Sequence, residues 1–248
     1  MLYWVLKLFV IGPVIRLLYW PKVIGKKNFP REGAAILASN HLSFSDSFFL
    51  PLVAPRRITF LAKSEYFTGR GLKGFISRSF FSGVGQVPID RSGGRASEAA
   101  IQTGLRILAK GDLLGIYPEG TRSPDGRLYR GRTGIARMAL EAGVPIVPVA
   151  MIGTFEVQPT GKTLPRIKRV KVAYGEPMDF SEFAAQSKDP VVLRNITNSV
   201  MRALQELSGQ EYVDIYATKA RELLTAQSSG SDEDQAAQAE AVADAEED

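Results

Sequence analysis

One histidine occurs in the 248 residues, His41, and it lies in the stretch NHLSFSD, five positions before Asp46. A histidine within reach of a carboxylate is a defined chemical unit. The carboxylate accepts a hydrogen bond from one ring nitrogen and fixes the tautomer, which leaves the other nitrogen as a base. On a continuous helix, five residues turn about 140° around the axis, so the two side chains would not meet. With a turn between them they do, and Ser43 or Ser45 is then placed to cap a following helix. The alternative is a bystander histidine, with Asp46 acting as the negative charge of a helix N-terminus, worth about 0.3–1 kcal/mol. The two roles of Asp46 are compatible.

Three other stretches carry polar groups of interest. YPEGTRSPDGR, residues 117–127, holds Glu119, Thr121 and Arg122 in a loop punctuated by Pro118, Gly120, Pro124 and Gly126. A guanidinium fork, a hydroxyl and N–H groups beside a glycine suit phosphate oxygens. The plain alternative is a surface loop with an incidental arginine. GVGQVPIDR, residues 83–91, ends in Asp90-Arg91, and Lys63 closely follows the run ITFLA.

The elements that would hold these groups alternate in type. Short apolar runs rich in β-formers occur at 34–39, 58–62, 85–89, 113–117, 145–151 and 170–174. Between several of them lie helical patterns. Residues 95–110 put Ile101, Leu105 and Leu108 on one face and stop at Gly111, and residues 133–142 put Ile135, Met138, Ala139 and Ala142 on one face and stop at Gly143. A further helix spans 190–207, with Val192, Ile196, Val200 and Leu204 spaced by four. Strands alternating with helices predict an α/β fold, a mostly parallel central sheet flanked by helices. In such sheets, sites form beyond the carboxyl ends of the strands. Four predicted strands deliver polar groups there: His41 and Asp46, Lys63, Arg91, and Glu119 with Arg122. Each alone is a weak signal, and the fold would gather all four along one edge.

Composition narrows the chemistry. A 45% hydrophobic and 23% charged chain is that of a globular protein. There is no cysteine, so disulfides and thiolate metal sites are excluded, and with one histidine a zinc site is disfavoured. The formal charge of +5 hides an asymmetry. Nine of the 26 acidic residues lie from Glu222 onward and no Lys or Arg follows Arg221, so residues 1–221 hold 31 basic against 17 acidic residues, a balance of +14. Such a body attracts phosphate-bearing partners. Arg56-Arg57 and Arg166-Ile167-Lys168-Arg169 belong to no recognised nucleic-acid module and fit an anionic lipid surface better.

The N-terminus supports that surface. Of the 19 residues from Leu2 to Trp20, 15 are apolar or aromatic, the exceptions being Lys7, Gly12, Pro13 and Arg16. A spanning helix needs about 20 apolar residues, and each interior cation costs it roughly 2.5–3.5 kcal/mol. One or two short helices dipping into one leaflet, bent at Gly12-Pro13, are the favoured reading, with a single span as the alternative. A cleaved signal peptide fits poorly, because no cationic leader precedes the apolar run. The expected division is a membrane-interface helical segment at 1–25, a catalytic domain at 26–210, a C-terminal extension at 211–226 and a disordered acidic tail at 227–248.

Competing motifs fail. GVGQVP lacks the third glycine of a dinucleotide fingerprint, and neither a phosphate loop ending in Gly-Lys-Ser/Thr nor a Gly-x-Ser-x-Gly elbow occurs. The blocks NHLSFSD, GVGQVPIDR, YPEGTRS and VPIVPVA, in that order, resemble the four sequence blocks of the glycerolipid acyltransferase family over roughly residues 20–180. The resemblance implies acyl transfer from acyl-CoA or acyl carrier protein to the free hydroxyl of 1-acyl-glycerol 3-phosphate, giving phosphatidic acid, with no cofactor. The same chemistry on another lysophospholipid, glycerol 3-phosphate or a lyso-aminolipid is the alternative. It implies His41 as catalytic base and Asp46 as its orienting acid. Lys63, Arg91, Glu119, Gly120, Thr121 and Arg122 match positions that hold the acceptor phosphate, and Val144 to Val149 match the fourth block. The enzyme is then expected on the cell membrane as a peripheral or monotopic protein, its site facing the cytoplasm, with no nucleic-acid partner. The acidic tail is not part of the family pattern. A thioesterase using the same edge would release free fatty acid, and a non-catalytic lipid-binding protein would bind vesicles without transfer.

Overall fold

A computed structural model describes residues 2–64, 67–69, 71, 74, 85–89 and 96–227. Among these, seven strands form the central sheet: β1 (Lys22–Ile24), β2 (Ala35–Ser39), β3 (Ile58–Lys63), β4 (Gln86–Ile89), β5 (Leu113–Ile116), β7 (Ile146–Ile152) and β8 (Lys171–Tyr174), in the spatial order β1-β8-β7-β2-β5-β3-β4. Every pairing is parallel except β7 with β8. All six predicted strands are present. β8 runs against its neighbour because the chain leaving β7 makes only the short helix α6 (Thr154–Val157) and a loop before turning back, with no crossover helix to carry it to the other edge. The carboxyl ends of β2, β5, β3 and β4 are therefore successive neighbours along one edge, the four that the sequence points to.

The sheet is buried on both faces, and the strands show it in their alternation. Ile36, Ala38, Leu114 and Ile146 face the helices α4 (Ala96–Leu108), α5 (Gly134–Ala142) and α7 (Pro190–Ser208), meeting Ile101, Leu108, Ile135, Ile196 and Val200. Ala35, Leu37, Leu113, Val147 and Met151 face the other way, toward Phe49 and Leu50 of α3 (Asp46–Val53). α7 starts where predicted and runs one residue further, to Ser208, and its start has a local cause. Asp189 at the N-cap accepts from the backbone N–H of Val191 and Val192 at 2.8 and 3.2 Å, and Pro190 follows where its missing N–H costs nothing.

The N-terminal residues form α1 (Leu2–Val5), a π turn (Leu6–Val10) and α2 (Ile11–Tyr19). The irregularity lies just before the predicted Gly12-Pro13 bend. Pro13 has no N–H and its ring crowds the preceding turn, which widens to take it up. A Cβ on Gly12 would lie 1.7 Å from the Lys7 carbonyl oxygen, so only glycine fits there. Tyr3 is buried, and Ile15 and Tyr19 pack on the core, while Phe9, Leu17 and Trp20 are exposed. The Lys7 ammonium bonds the Ala54 carbonyl and sits 5.1 Å from the Trp4 ring centroid. No described helix is long and apolar enough to cross a membrane.

A second, two-stranded ladder joins β6 (Leu128–Tyr129) to β9 (Tyr212–Val213), and residues 217–227 add a helix. Tyr129 is buried against Ala217 and Ala220 of that helix. The segment 211–226, expected as an extension, is thus laced onto the loop that follows β5. Two-residue strands leave no periodicity to read.

Candidate active site

The site begins where β2 ends. Asn40 is buried and fixes the chain as it leaves the sheet. Its Oδ1 accepts from Met151 N at 2.7 Å, and its Nδ2 donates to Met151 O at 3.0 Å and to Gln210 Oε1 at 2.6 Å. Asn40→Ala strands two backbone groups of β7, each worth about 1–3 kcal/mol when buried and unpaired. The expected result is a melting temperature lower by roughly 5–15 °C in a thermal scan.

Next comes the turn. His41 N donates to Glu119 Oε1 at 3.1 Å, and His41 O accepts from Ser123 N at 2.7 Å. Asp46, fully buried at the first position of α3, folds back over the turn. Its Oδ2 accepts from Leu42 N and Ser43 N, both at 2.8 Å, and meets His41 Nδ1 at 2.9 Å. Its Oδ1 is buried with no hydrogen-bond partner among the described residues. The serine cap does not form: Ser45 at the N-cap makes no cap bond. The first-turn N–H groups a cap would take are held by backbone carbonyls instead, Asp46 N by Ser43 O at 3.3 Å, Ser47 N by Phe44 O at 3.3 Å and Phe48 N by Ser45 O at 2.9 Å. The hydroxyls bond elsewhere: Ser43 Oγ accepts from Ser45 N at 3.1 Å, and Ser45 Oγ donates to the distant Gln158 Oε1 at 3.2 Å.

The imidazole is held on a face as well as an edge. It stacks on Tyr117 at 3.8 Å between centroids and 11° between planes, and Tyr117 stacks on Phe60 at 5.5 Å. Gly115, one strand over, makes room: a Cβ there would lie 2.3 Å from the Phe60 ring. Burial, with the Asp46 carboxylate adding to it, pushes the Tyr117 phenol up, so it stays neutral. With one face covered and Nδ1 bonded, the ring retains 16% exposure, and Nε2 has no bond to a described residue.

The loop after β5 divides. Gly120, at φ +77, turns the chain so that Gly120 and the half-exposed Thr121 and Arg122 lie outward. Glu119 does not join them. It is fully buried, with Oε1 on His41 N and Oε2 on Tyr129 N at 3.0 Å. Its expected part in holding phosphate is corrected to a brace between two loops, because both oxygens are already taken by backbone donors. Burial pushes its carboxyl up to about 8 against the pull of those two N–H groups. Lys63 is the last residue of β3, in register with Ile89 at the end of β4. Arg91 lies outside the described residues. Sequence reasoning missed Tyr117, Asn40, Gln158 and Arg221. Arg221, from the C-terminal helix, donates to Thr121 Oγ1 at 3.1 Å and to Arg122 O at 3.0 Å, a contact across 100 residues that no local pattern signals.

A mostly parallel sheet with a His–Asp pair at its carboxyl edge is the arrangement of an α/β enzyme site. The family model named Acyltransferase matches residues 21–152, and the chain belongs to that family. It is 30% identical to the 1-acyl-sn-glycerol-3-phosphate acyltransferase of Bacillus subtilis, over 76% of this chain and 88% of that one. It is 31% identical to the chloroplastic 1-acyl-sn-glycerol-3-phosphate acyltransferase BAT2 of Brassica napus, over 58% of this chain but only 40% of that longer one. Its fold matches the crystal structure of the 1-acyl-sn-glycerophosphate (LPA) acyltransferase PlsC from Thermotoga maritima, with a TM-score of 0.60 and 25% identity, over 81% and 80% of the two chains.

Proposed function

We propose that this acyltransferase esterifies the free hydroxyl of 1-acyl-glycerol 3-phosphate, with an acyl thioester of CoA or acyl carrier protein as donor, and yields phosphatidic acid. The observation that carries the reading is the 2.9 Å contact of His41 Nδ1 with Asp46 Oδ2, which leaves Nε2 as the base. Nε2 takes the hydroxyl proton as the acceptor oxygen bonds to the thioester carbon. The C–S bond then breaks, and the imidazolium returns the proton to the departing thiolate. Asp46 stabilises the imidazolium, and Tyr117 holds the ring flat.

The acceptor phosphate is held by Arg122, Thr121 and Gly120, together with Lys63 and Arg91. Fixing the phosphate fixes the distance of the hydroxyl from Nε2, which is an orientation effect. The enzyme works at the surface of the cell membrane, seated by α1 and α2, with its site toward the cytoplasm. A labelled acyl-CoA assay against a panel of lyso-acceptors tests the reading: label in phosphatidic acid is expected, and label only in free fatty acid or in a non-phosphorylated product overturns it.

Arg122→Lys keeps the charge and loses the planar fork. The acceptor KM is expected to rise about tenfold or more, with the donor KM and the melting temperature unchanged, because lysine keeps one charge-assisted hydrogen bond where the fork makes two, and each is worth about 1.5–3 kcal/mol. An unchanged acceptor KM would remove Arg122 from the phosphate site.

A further inference from the structure

The chain has a second apolar surface, distinct from the N-terminal helices. Between Gln158 and Lys171 there is no acidic residue, and Lys162, Arg166, Lys168 and Arg169 are all exposed. Among these cations stand Leu164, 82% exposed, and Ile167, 63% exposed. No large hydrophobic side chain among the described residues is more exposed than Leu164.

The loop that carries them is tied down rather than free. Arg166 N donates to Val157 O at 2.7 Å, and Gln158 Nε2 donates to Lys162 O and Thr163 O at 3.3 and 3.0 Å. The tie reaches the site. Gln158 Oε1 accepts from Ser45 Oγ in the turn between His41 and Asp46. Thr160 Oγ1 donates at 2.7 Å to Ser123 O, and the N–H of Ser123 bonds His41 O.

The loop also meets the N-terminal segment. Its last residues feed β8, whose Lys171 is in register with Lys22 of β1, and Lys22 N donates to Val170 O at 2.9 Å. Trp20, 76% exposed at the end of α2, and Arg169 therefore enter the sheet side by side. Because β8 opposes β7, this is the same edge at which β7 ends and Asn40 and His41 begin.

We propose that residues 159–169 are a second membrane contact, in which Leu164 and Ile167 insert among acyl chains and the four cations meet anionic lipid phosphates. A bilayer satisfies both halves of this surface at once, aliphatic tips below and cations at headgroup level. An acidic protein would satisfy only the cations. Continuity with the exposed side of α2 gives the bilayer a surface that runs up to the catalytic turn. Resting on the acceptor reading above, the contact lets the lysolipid pass from the leaflet to His41 without crossing water.

The test is flotation of the full chain, without donor, on vesicles of phosphatidylcholine with phosphatidylglycerol and of phosphatidylcholine alone. Leu164→Ser/Ile167→Ser is expected to lower partitioning to the anionic vesicles by about tenfold or more, the loss of two inserted aliphatic chains. Turnover of a short-chain, water-soluble acceptor and the melting temperature stay at wild-type values. Arg166→Gln/Lys168→Gln, which removes no apolar surface, is expected to abolish the preference for anionic vesicles. Partitioning of both variants within about twofold of wild type, a difference worth well under one buried side chain, overturns the proposal. So does intact flotation with a raised KM for an acyl carrier protein donor, which would assign the loop to an acidic protein. If the wild type floats in this loop-dependent way but makes no phosphatidic acid, the acceptor reading fails and the membrane contact stands.

Discussion

His41→Ala is expected to lower kcat by about 10²–10⁴-fold, the usual worth of a positioned general base, with vesicle binding and melting temperature close to wild type. The fold survives because the ring is not what holds the turn. Asp46 Oδ2 keeps its bonds from Leu42 N and Ser43 N, and the His41 backbone keeps its bonds to Glu119 and Ser123. Asp46→Asn is the informative companion. An amide oxygen in the place of Oδ2 can accept from the same donors, so the geometry is kept and the negative charge is lost. The imidazolium then forms without its counter-charge, and kcat is expected to fall about tenfold or more, less than for His41→Ala. If the two residues act as a unit, the double variant is no worse than His41→Ala alone. Single-turnover measurements with saturating acceptor read these effects. Near-normal turnover in His41→Ala would sink the mechanism. Losses that multiply in the double variant would instead mean that Asp46 acts apart from His41.

The second large effect is on stability, at Glu119. Its two oxygens satisfy one N–H from each of two loops, all in a fully buried place. Glu119→Ala leaves both donors unpaired, at about 1–3 kcal/mol each. For a chain of this size each kcal/mol shifts the midpoint by roughly 2–4 °C, so a fall of about 10 °C is expected. The same residue sets a pH dependence. Burial raises its carboxyl from 4.5 to about 8, so between those values the folded state holds a proton that the unfolded state releases. The stability tied to that proton is present below pH 4.5 and is lost as the pH rises toward 8. Lys7 works in the opposite sense and in a higher window. Burial and the nearby Arg16 charge pull it from 10.5 down to about 8, so its contribution grows as the pH rises from 8 to 10.5. Melting temperatures compared at pH 5 and pH 8 therefore isolate Glu119: the wild type is expected to lose stability over that interval and Glu119→Gln to lose less. A wild-type curve no steeper than that of Glu119→Gln would remove the carboxyl as the source.

What the sequence determined by itself was local. The six main strands announce themselves as short β-former runs, and the helices read at 95–110, 133–142 and 190–207 as 3.6-residue periodicities, the first two stopping at Gly111 and Gly143. Those signals depend only on neighbours in the chain, so they survive without a structure. The gathering of four strand ends along one edge was legible too, because a parallel sheet with helical connections leaves few other arrangements. The i+5 spacing of His41 and Asp46 required a turn, and the turn is there.

Tertiary structure decided the rest. A one-dimensional pattern does not say which side of a loop turns inward, so Glu119 read as a phosphate ligand until its two backbone donors, 78 positions back and 10 positions on, turned it into a brace. Tyr117 read as the last residue of a strand until the stacked rings of His41 and Phe60 enclosed it. Arg221 and Gln210 reach the site from beyond the sheet, through two-residue strands too short to show a period. The basic run near Arg166 was visible as charge alone. That the run leads into the sheet next to the end of α2, on the edge where His41 sits, follows only from the antiparallel return of β8 and its pairing with β1. Side-chain direction and long-range hydrogen bonding are properties of the packed chain, and they are what make a motif into a site.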